Sequence, residues 1–234
     1  LNSKERVLAV LNGRIPDRVP LGEFAVDFDT VEKIIGHETY HRAKAKSRIA
    51  FWEGRRDEVI QSWREDFIEL HQKLGVLDLV TFTDSTWAVP PETDEPPPKR
   101  INENTWEDAA GRIYRYSDIT ADITCIEDPT IWSQTFSEEQ FSGPIPPVAL
   151  DPVSFEIRDY IINHFKNEKF ICTPCGGEIG IVFLGGIERG SVELIQSPEV
   201  IRAAVAHALK VQNAHDEILI HPAGDGVLLG QDFS

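Results

Sequence analysis

Three short apolar runs set far apart by amphipathic segments constrain this chain more than any other feature. "LDLVTFT" (77–83), "KFICTPC" (169–175) and "DGVLLGQDF" (225–233) read as buried strands. Val19–Phe24 can form a fourth, because Pro16 and Pro20 prevent a helix there. From Thr30 to Leu74 the apolar residues Trp52, Val59, Ile60, Trp63, Phe67 and Leu70 fall mostly at spacings of three, four and seven, which predicts helix ending at Gly75. Residues 151–165 predict a further helix, and so do 197–219, with Ser197 as N-cap and Pro198 in the first position. A shorter helix opens the chain, with Asn2 and Glu5 at capping-box spacing and Val7, Val10 and Leu11 on one face. Buried strands alternating with helices imply a parallel α/β sheet.

The stretches between these elements are less regular. Residues 90–100, "PPETDEPPPKR", form a loop. "GRIYRYS" and "DITCIED" predict two antiparallel strands, an excursion near 112–126, and residues 127–150 are irregular and Pro-rich. The four parallel strands are half the number an eight-stranded barrel needs. The fourth has no covering helix, and an open strand edge invites aggregation. The expectation is a single domain over residues 1–234, forming the N-terminal part of a longer (β/α)8 TIM barrel. Residues 1–17 are the first helix and its lead-in, and 18–234 hold strands one to four.

The balance of charge excludes several functions. With 39 acidic against 23 basic residues the net charge is −16. That argues against a nucleic-acid partner, which needs a basic face, and against an anionic membrane surface. No apolar run approaches the roughly 20 residues of a membrane span, and the first ten residues lack the layout of a signal peptide. Three Cys do not make a disulfide framework, so the cytoplasm is the expected compartment. Met is absent altogether, although a core of this size ordinarily uses some. The natural chain is therefore expected to carry Met residues that this sequence lacks.

Two motifs raise metal chemistry. "HETYH" (37–41) matches the H-E-x-x-H of zinc proteases, in which two His one helical turn apart hold the metal. Its surroundings do not follow. Gly36 precedes it directly, and Lys44 and Ser47 stand where an extended metzincin motif has Gly and His. Cys172 and Cys175 form a single Cys-x-x-Cys at the end of a strand, where a Cys is as readily a small core residue. His37, His41, Cys172 and Cys175 are thus candidate metal ligands. The glycine-containing stretches around 176–186 do not make a phosphate-binding pattern, so a Rossmann fold is rejected.

Four stretches, in order, carry a family resemblance. "NSKERVLAVLNGRIPDRVPLGEF" resembles the opening of the uroporphyrinogen decarboxylase superfamily, with its E-R-V-L helix and its P-D-R-V-P lead-in. "TWEDAAGRIYRYS" is similar to that family's acidic-Gly-Arg hairpin, "GGIERGSVELIQSPEVIRAAV" to its paired helices, and "AGDGVLLGQDFS" to its fourth strand. The resemblance spans the chain and implies a TIM barrel with its chemistry at the C-terminal ends of the strands. It places Asp84, after the second strand, and Asp232, after the fourth, as catalytic residues that orient substrate. Glu23, Asp27, Cys175 and Glu178 would line the substrate site, with Asp29 beyond the first strand.

The resemblance implies two activities. Decarboxylation of a carboxylate-rich porphyrinogen calls for Arg after the first strand, where this chain has Glu23, Asp27 and Asp29. The methylcobalamin:coenzyme M methyltransferase-like branch therefore fits better. Its members use zinc to turn a thiol into a thiolate, which accepts a methyl group from a corrinoid. Their zinc ligands would lie beyond residue 234. The implied partners are a small-molecule substrate and a corrinoid protein, with a homodimer allowed. A ligand- or corrinoid-binding barrel without catalysis is a further alternative, and an H-E-x-x-H zinc protease is the last and least favoured.

Overall fold

The opening helix, α1 (Ser3–Leu11), is closed by its own capping box. Asn2 Oδ1 accepts from the Glu5 amide at 2.8 Å, and Glu5 Oε2 accepts from the Asn2 amide at 2.9 Å. The structure is a computed structural model that describes residues 1–82, 96–145, 147, 151–175 and 183–228.

The region expected to be one long helical run is three helices: α2 (Phe28–Ile35), α3 (Lys44–Trp52) and α4 (Arg56–Leu74). The breaks fall near Gly36 and Gly54, whose φ values of 89° and 75° place them in the left-handed region that suits glycine. Beyond α4 lie β1 (Leu79–Val80), then β2 (Lys99–Asn102), β3 (Thr105–Glu107), β4 (Ile113–Ser117) and β5 (Asp122–Glu127). They are followed by α5 (Glu138–Ser142), α6 (Glu156–Phe165), β6 (Phe170–Thr173), α7 (Gly186–Gln196), α8 (Pro198–Leu219) and β7 (Gly226–Val227). The predicted excursion holds β4 and β5, but two further strands precede them. Ser197 precedes α8 without a side-chain capping bond.

The expected (β/α)8 barrel is not what the described residues form. They build a mixed α/β arrangement: a three-stranded parallel sheet in the order β1-β6-β7 and a four-stranded antiparallel sheet in the order β2-β3-β4-β5. No closed barrel is present among the described residues. The physical reason is the extent of pairing. β1 pairs with β6, and β6 with β7, over two residues each. Residues 19–24 do not form a strand, although the Leu21 carbonyl accepts from the Asp78 and Leu79 amides at 2.7 and 3.2 Å. Closure requires tilted strands hydrogen-bonded all the way round.

Parallel sheets are covered on both faces, and the alternation of side chains decides what covers each. Val80 and Ile171 point into a core made with Val59, Ile60, Trp63 and Phe67 of α4 and Ile157, Ile161, Ile162 and Phe165 of α6. Leu79, Phe170 and Cys172 meet Val7 of α1 on the other face. The antiparallel sheet packs on α3 through Ala45, Trp106 and Ile123, with Trp52 and Trp106 5.5 Å apart.

The N-terminal end of the parallel sheet is locked by one carboxylate. Asp78, whose side chain is fully buried, accepts from Arg6 Nη1 at 2.6 Å, from Arg18 Nη1 at 2.6 Å and Nη2 at 2.9 Å, and from the Leu21 amide at 2.9 Å. Arg6 also reaches Asp17 through Nε at 2.7 Å and Nη2 at 2.8 Å. The E-R-V-L helix and the P-D-R-V-P lead-in are thus one bonded unit set on β1. Lys4 Nζ pairs with Asp225 at 2.6 Å at the start of β7, extending the same base. Burial alone would raise the Asp78 pKa; the Leu21 amide and the guanidinium groups outweigh it and hold the carboxyl below its usual range. Asp17 is lowered chiefly by its hydrogen bond from Arg6.

Both groups stabilise the fold above the ordinary carboxyl pKa of about 4, and that stability is lost as pH falls below it. Asp78→Asn leaves the Arg6 charge buried with one partner fewer, and the expected cost is about 3–5 kcal/mol at neutral pH. Urea denaturation of the variant checks this, and a loss under about 1 kcal/mol contradicts the role assigned to Asp78.

Candidate functional site

In a parallel sheet of this kind ligands approach the C-terminal ends of the strands. Here those ends are Thr81 and Phe82 after β1, Pro174 and Cys175 after β6, and Leu228 after β7. Thr81 is buried and donates its hydroxyl to the Glu23 carbonyl at 2.7 Å, tying the 21–25 segment across the end of β1. Glu23 is exposed there, and its carboxylate accepts the Ala25 amide at 3.4 Å. Cys175 is half-buried at the end of β6. The structure therefore brings Glu23 and Cys175 to the same end of the sheet. Asp84, Glu178 and Asp232 lie outside the described residues.

The other acids expected at this mouth are neutralised locally. Asp27 pairs with Arg42 at 3.3 Å and Lys44 at 4.0 Å, and Asp29 pairs with Lys33 one helical turn on at 3.3 Å. Cys172 sits inside β6 against Val7 and Phe170, where burial raises its thiol pKa and Asp225 adds to the rise. That is the environment of an inert core cysteine, not of a thiolate.

The "HETYH" segment is not helical. Residues 37–41 form an irregular strap between α2 and α3, laid across α4. The Thr39 hydroxyl donates to Asp66 Oδ2 at 2.5 Å. The Tyr40 amide donates to Ser62 Oγ at 2.8 Å, while the Tyr40 carbonyl accepts from Trp63 Nε1 at 2.7 Å and Ser47 Oγ at 2.8 Å. Without a helix, His37 and His41 do not share a face. His37 is exposed, with Nδ1 2.9 Å from the Glu38 carbonyl and Nε2 3.1 Å from Glu69 Oε2. These two bonds raise its pKa.

His41 points the other way, into the core. It meets the ring of Phe67 edge-on at 5.6 Å, and His71 stacks on Phe67 at 4.6 Å. Neither Nδ1 has a hydrogen-bond partner among the described residues. Burial, with Arg42 adding, lowers the His41 pKa to about 4. Burial, with Lys169 and His41 adding, lowers that of His71 to about 3. Both rings are neutral core groups at pH 7.

The four metal-ligand candidates therefore do not fit a single zinc site: one His faces solvent, the other lies against Phe67, and Cys172 is in the sheet core. The structure instead brings His37 to Asp66 and Glu69, one ligand atom from each lying within 4.8 Å of the others. Sequence reasoning missed these two carboxylates. Their only trace is an i,i+3 acidic pair on α4, a pattern too common to single out without the strap that crosses it. A groove of about 340 Å³ between α4 and α6 is lined by Arg56, Arg64, Glu156 and Tyr160, but Arg56 pairs with Glu156 at 2.5 Å and Arg64 lies over the Tyr160 ring at 4.4 Å. No helix among the described residues is long and apolar enough to cross a membrane. No protein-family model, curated protein or solved structure matches the chain.

The buried imidazoles set a pH dependence. Their folded pKa values lie below the unfolded value of about 6.5, so the unfolded chain binds more protons between these limits, and stability is full above pH 6.5 and falls below it. At pH 5 the expected loss is about 2 kcal/mol per histidine. Urea midpoints at pH 7 and pH 5 should drop for the parent and drop less for His71→Phe. Parallel drops in the two proteins contradict a neutral buried His71.

Proposed function

We propose that the chain is a uroporphyrinogen-decarboxylase-like enzyme of the methyl-transfer kind, working at the C-terminal end of the parallel sheet. The observation that carries the reading is the Arg6–Asp17–Arg18–Asp78 unit. Arg6, Asp17 and Arg18, from the first of the four stretches that carry the resemblance, interlock with Asp78 at the N-terminal ends of the strands, where they act as a structural base. The opposite end is left with Glu23 and Cys175, and the sequence places Asp84 just beyond Phe82 and Asp232 after β7.

The reaction moves a methyl group from methylcobalamin to a thiolate. Methylcobalamin, when bound, would supply the methyl group as an electrophile and keep the bonding electron pair. A carbon–sulfur bond forms, and the thiol proton is released to solvent. Glu23 and Asp84 are acceptors only, suited to holding N–H or O–H groups of a substrate. Asp232 takes the same orienting role. Thr81 fixes the Glu23 backbone, which limits how far that carboxylate can wander. His37, His41, Cys172 and Cys175 do not share one zinc site among the described residues, and the resemblance puts the zinc ligands of such enzymes beyond residue 234. Exposed Glu23 at this end disfavours a substrate rich in carboxylates.

Loss of the methylcobalamin spectrum on addition of enzyme and a panel of thiols tests the reading. Thiol-dependent demethylation is expected, with kcat/KM reduced at least about tenfold in Asp84→Asn and in Glu23→Gln, as for loss of one orienting hydrogen bond. Turnover of uroporphyrinogen without demethylation contradicts it, and so does the absence of both reactions.

A further inference from the structure

His37, Asp66 and Glu69 have no part in the reaction above. Asp66 is a buried carboxylate, 6% exposed. Its Oδ2 takes two hydroxyl donors, Thr39 Oγ1 and Ser62 Oγ, each at 2.5 Å. Among the described residues it makes no ion pair with Lys or Arg. Lys46 is engaged with Glu32 and Glu38, and Lys73 with Glu69. Buried carboxylates that lack a cationic side chain are ordinarily matched by another cation. Two carboxylates face one lysine and His37 here, so the cluster carries net negative charge whenever the His37 ring is neutral.

The orientation of His37 supplies an independent observation. Its Nδ1 lies 2.9 Å from the Glu38 carbonyl, which can only accept, so Nδ1 carries a hydrogen. The lone pair of the neutral ring is then on Nε2, facing Glu69 Oε2 at 3.1 Å, which is also an acceptor. Two acceptors this close need a cation between them, either a proton or a metal ion. A backbone carbonyl fixing the far nitrogen is the usual arrangement of a metal-binding imidazole.

We propose that His37, Asp66 and Glu69 bind a first-row divalent transition metal, Zn²⁺ foremost, which clamps the 37–41 strap to α4. One imidazole and two carboxylates suit such an ion better than Mg²⁺ or Ca²⁺, which favour all-oxygen sets. Ligands about 2.1 Å from one ion are at most about 4.2 Å apart. The present spread of up to 4.8 Å therefore closes with a small rotation of the exposed His37 or the half-buried Glu69. Three protein ligands leave a position for water. The site is distinct from a protease centre, because the second His of "HETYH" is turned into the core.

Isothermal titration of the metal-stripped 234-residue chain with Zn²⁺ tests the proposal, with Co²⁺ absorption as the spectroscopic readout. One equivalent is expected to bind, at least tenfold more weakly in His37→Ala and in Glu69→Gln, and unchanged in a Cys172→Ser, Cys175→Ser double variant. Zn²⁺ should raise the melting temperature of the parent and not of the two ligand variants. His37 and Glu69 lie at the surface, so neither change endangers folding. Absence of stoichiometric binding overturns the proposal. So does equal affinity in both ligand variants, or loss of binding in the cysteine variant alone.

Discussion

A single buried carboxylate organises this protein. Asp78 stands immediately before β1, and its oxygens collect two guanidinium groups and a backbone amide from a segment some sixty residues earlier. Its own backbone reaches both ways: its amide donates to Leu21 and its carbonyl accepts from Phe170, at 2.7 and 3.0 Å. The first helix, the lead-in loop and two strands thus meet at one residue. A charge this deep is tolerable only because every oxygen is engaged. The same engagement ties α1 and the lead-in to one position on β1, through Arg6 and Arg18 together.

The strap at 37–41 is a second, smaller example of polar groups fixing geometry. Side chains and backbone of Thr39 and Tyr40 bond to Ser47, Ser62, Trp63 and Asp66, so the strap has little freedom despite lacking regular structure. Its two histidines end in opposite environments four residues apart. One is exposed with its Nε2 against Glu69, and the other is neutral beside Phe67. A five-letter pattern cannot carry that difference. The metal-protease meaning of the motif depends on a helix, and Gly36 ends the preceding helix directly before it.

Much of the fold was legible because its signals are local. The capping box at Asn2, the stop at Gly75, the extent of α8 and the apolar strands at 79–80 and 170–173 all follow from residue type and period. The closed barrel was not legible, because it was inferred by counting strands. Strand count says nothing of how far each pair extends, and the parallel pairs here span two residues each. β2 and β3 were missed because "KRIN" is polar and fully exposed and "TWE" is only three residues long. For the site, Glu23 and Cys175 were located from strand ends alone. Asp66 and Glu69 became visible only once the strap crossed α4, a contact between residues about thirty positions apart.

The central claim is that the Asp78 base holds the lead-in, β1 and β6 as one cooperative unit. Residue-resolved hydrogen exchange of the parent and of Arg18→Gln tests it most directly. The account predicts that the amides of Leu21, Asp78, Leu79 and Phe170 exchange through a shared opening, and that protection falls by a similar factor at all four in the variant. Loss of protection confined to Leu21, with Asp78 and Phe170 unchanged, would contradict it.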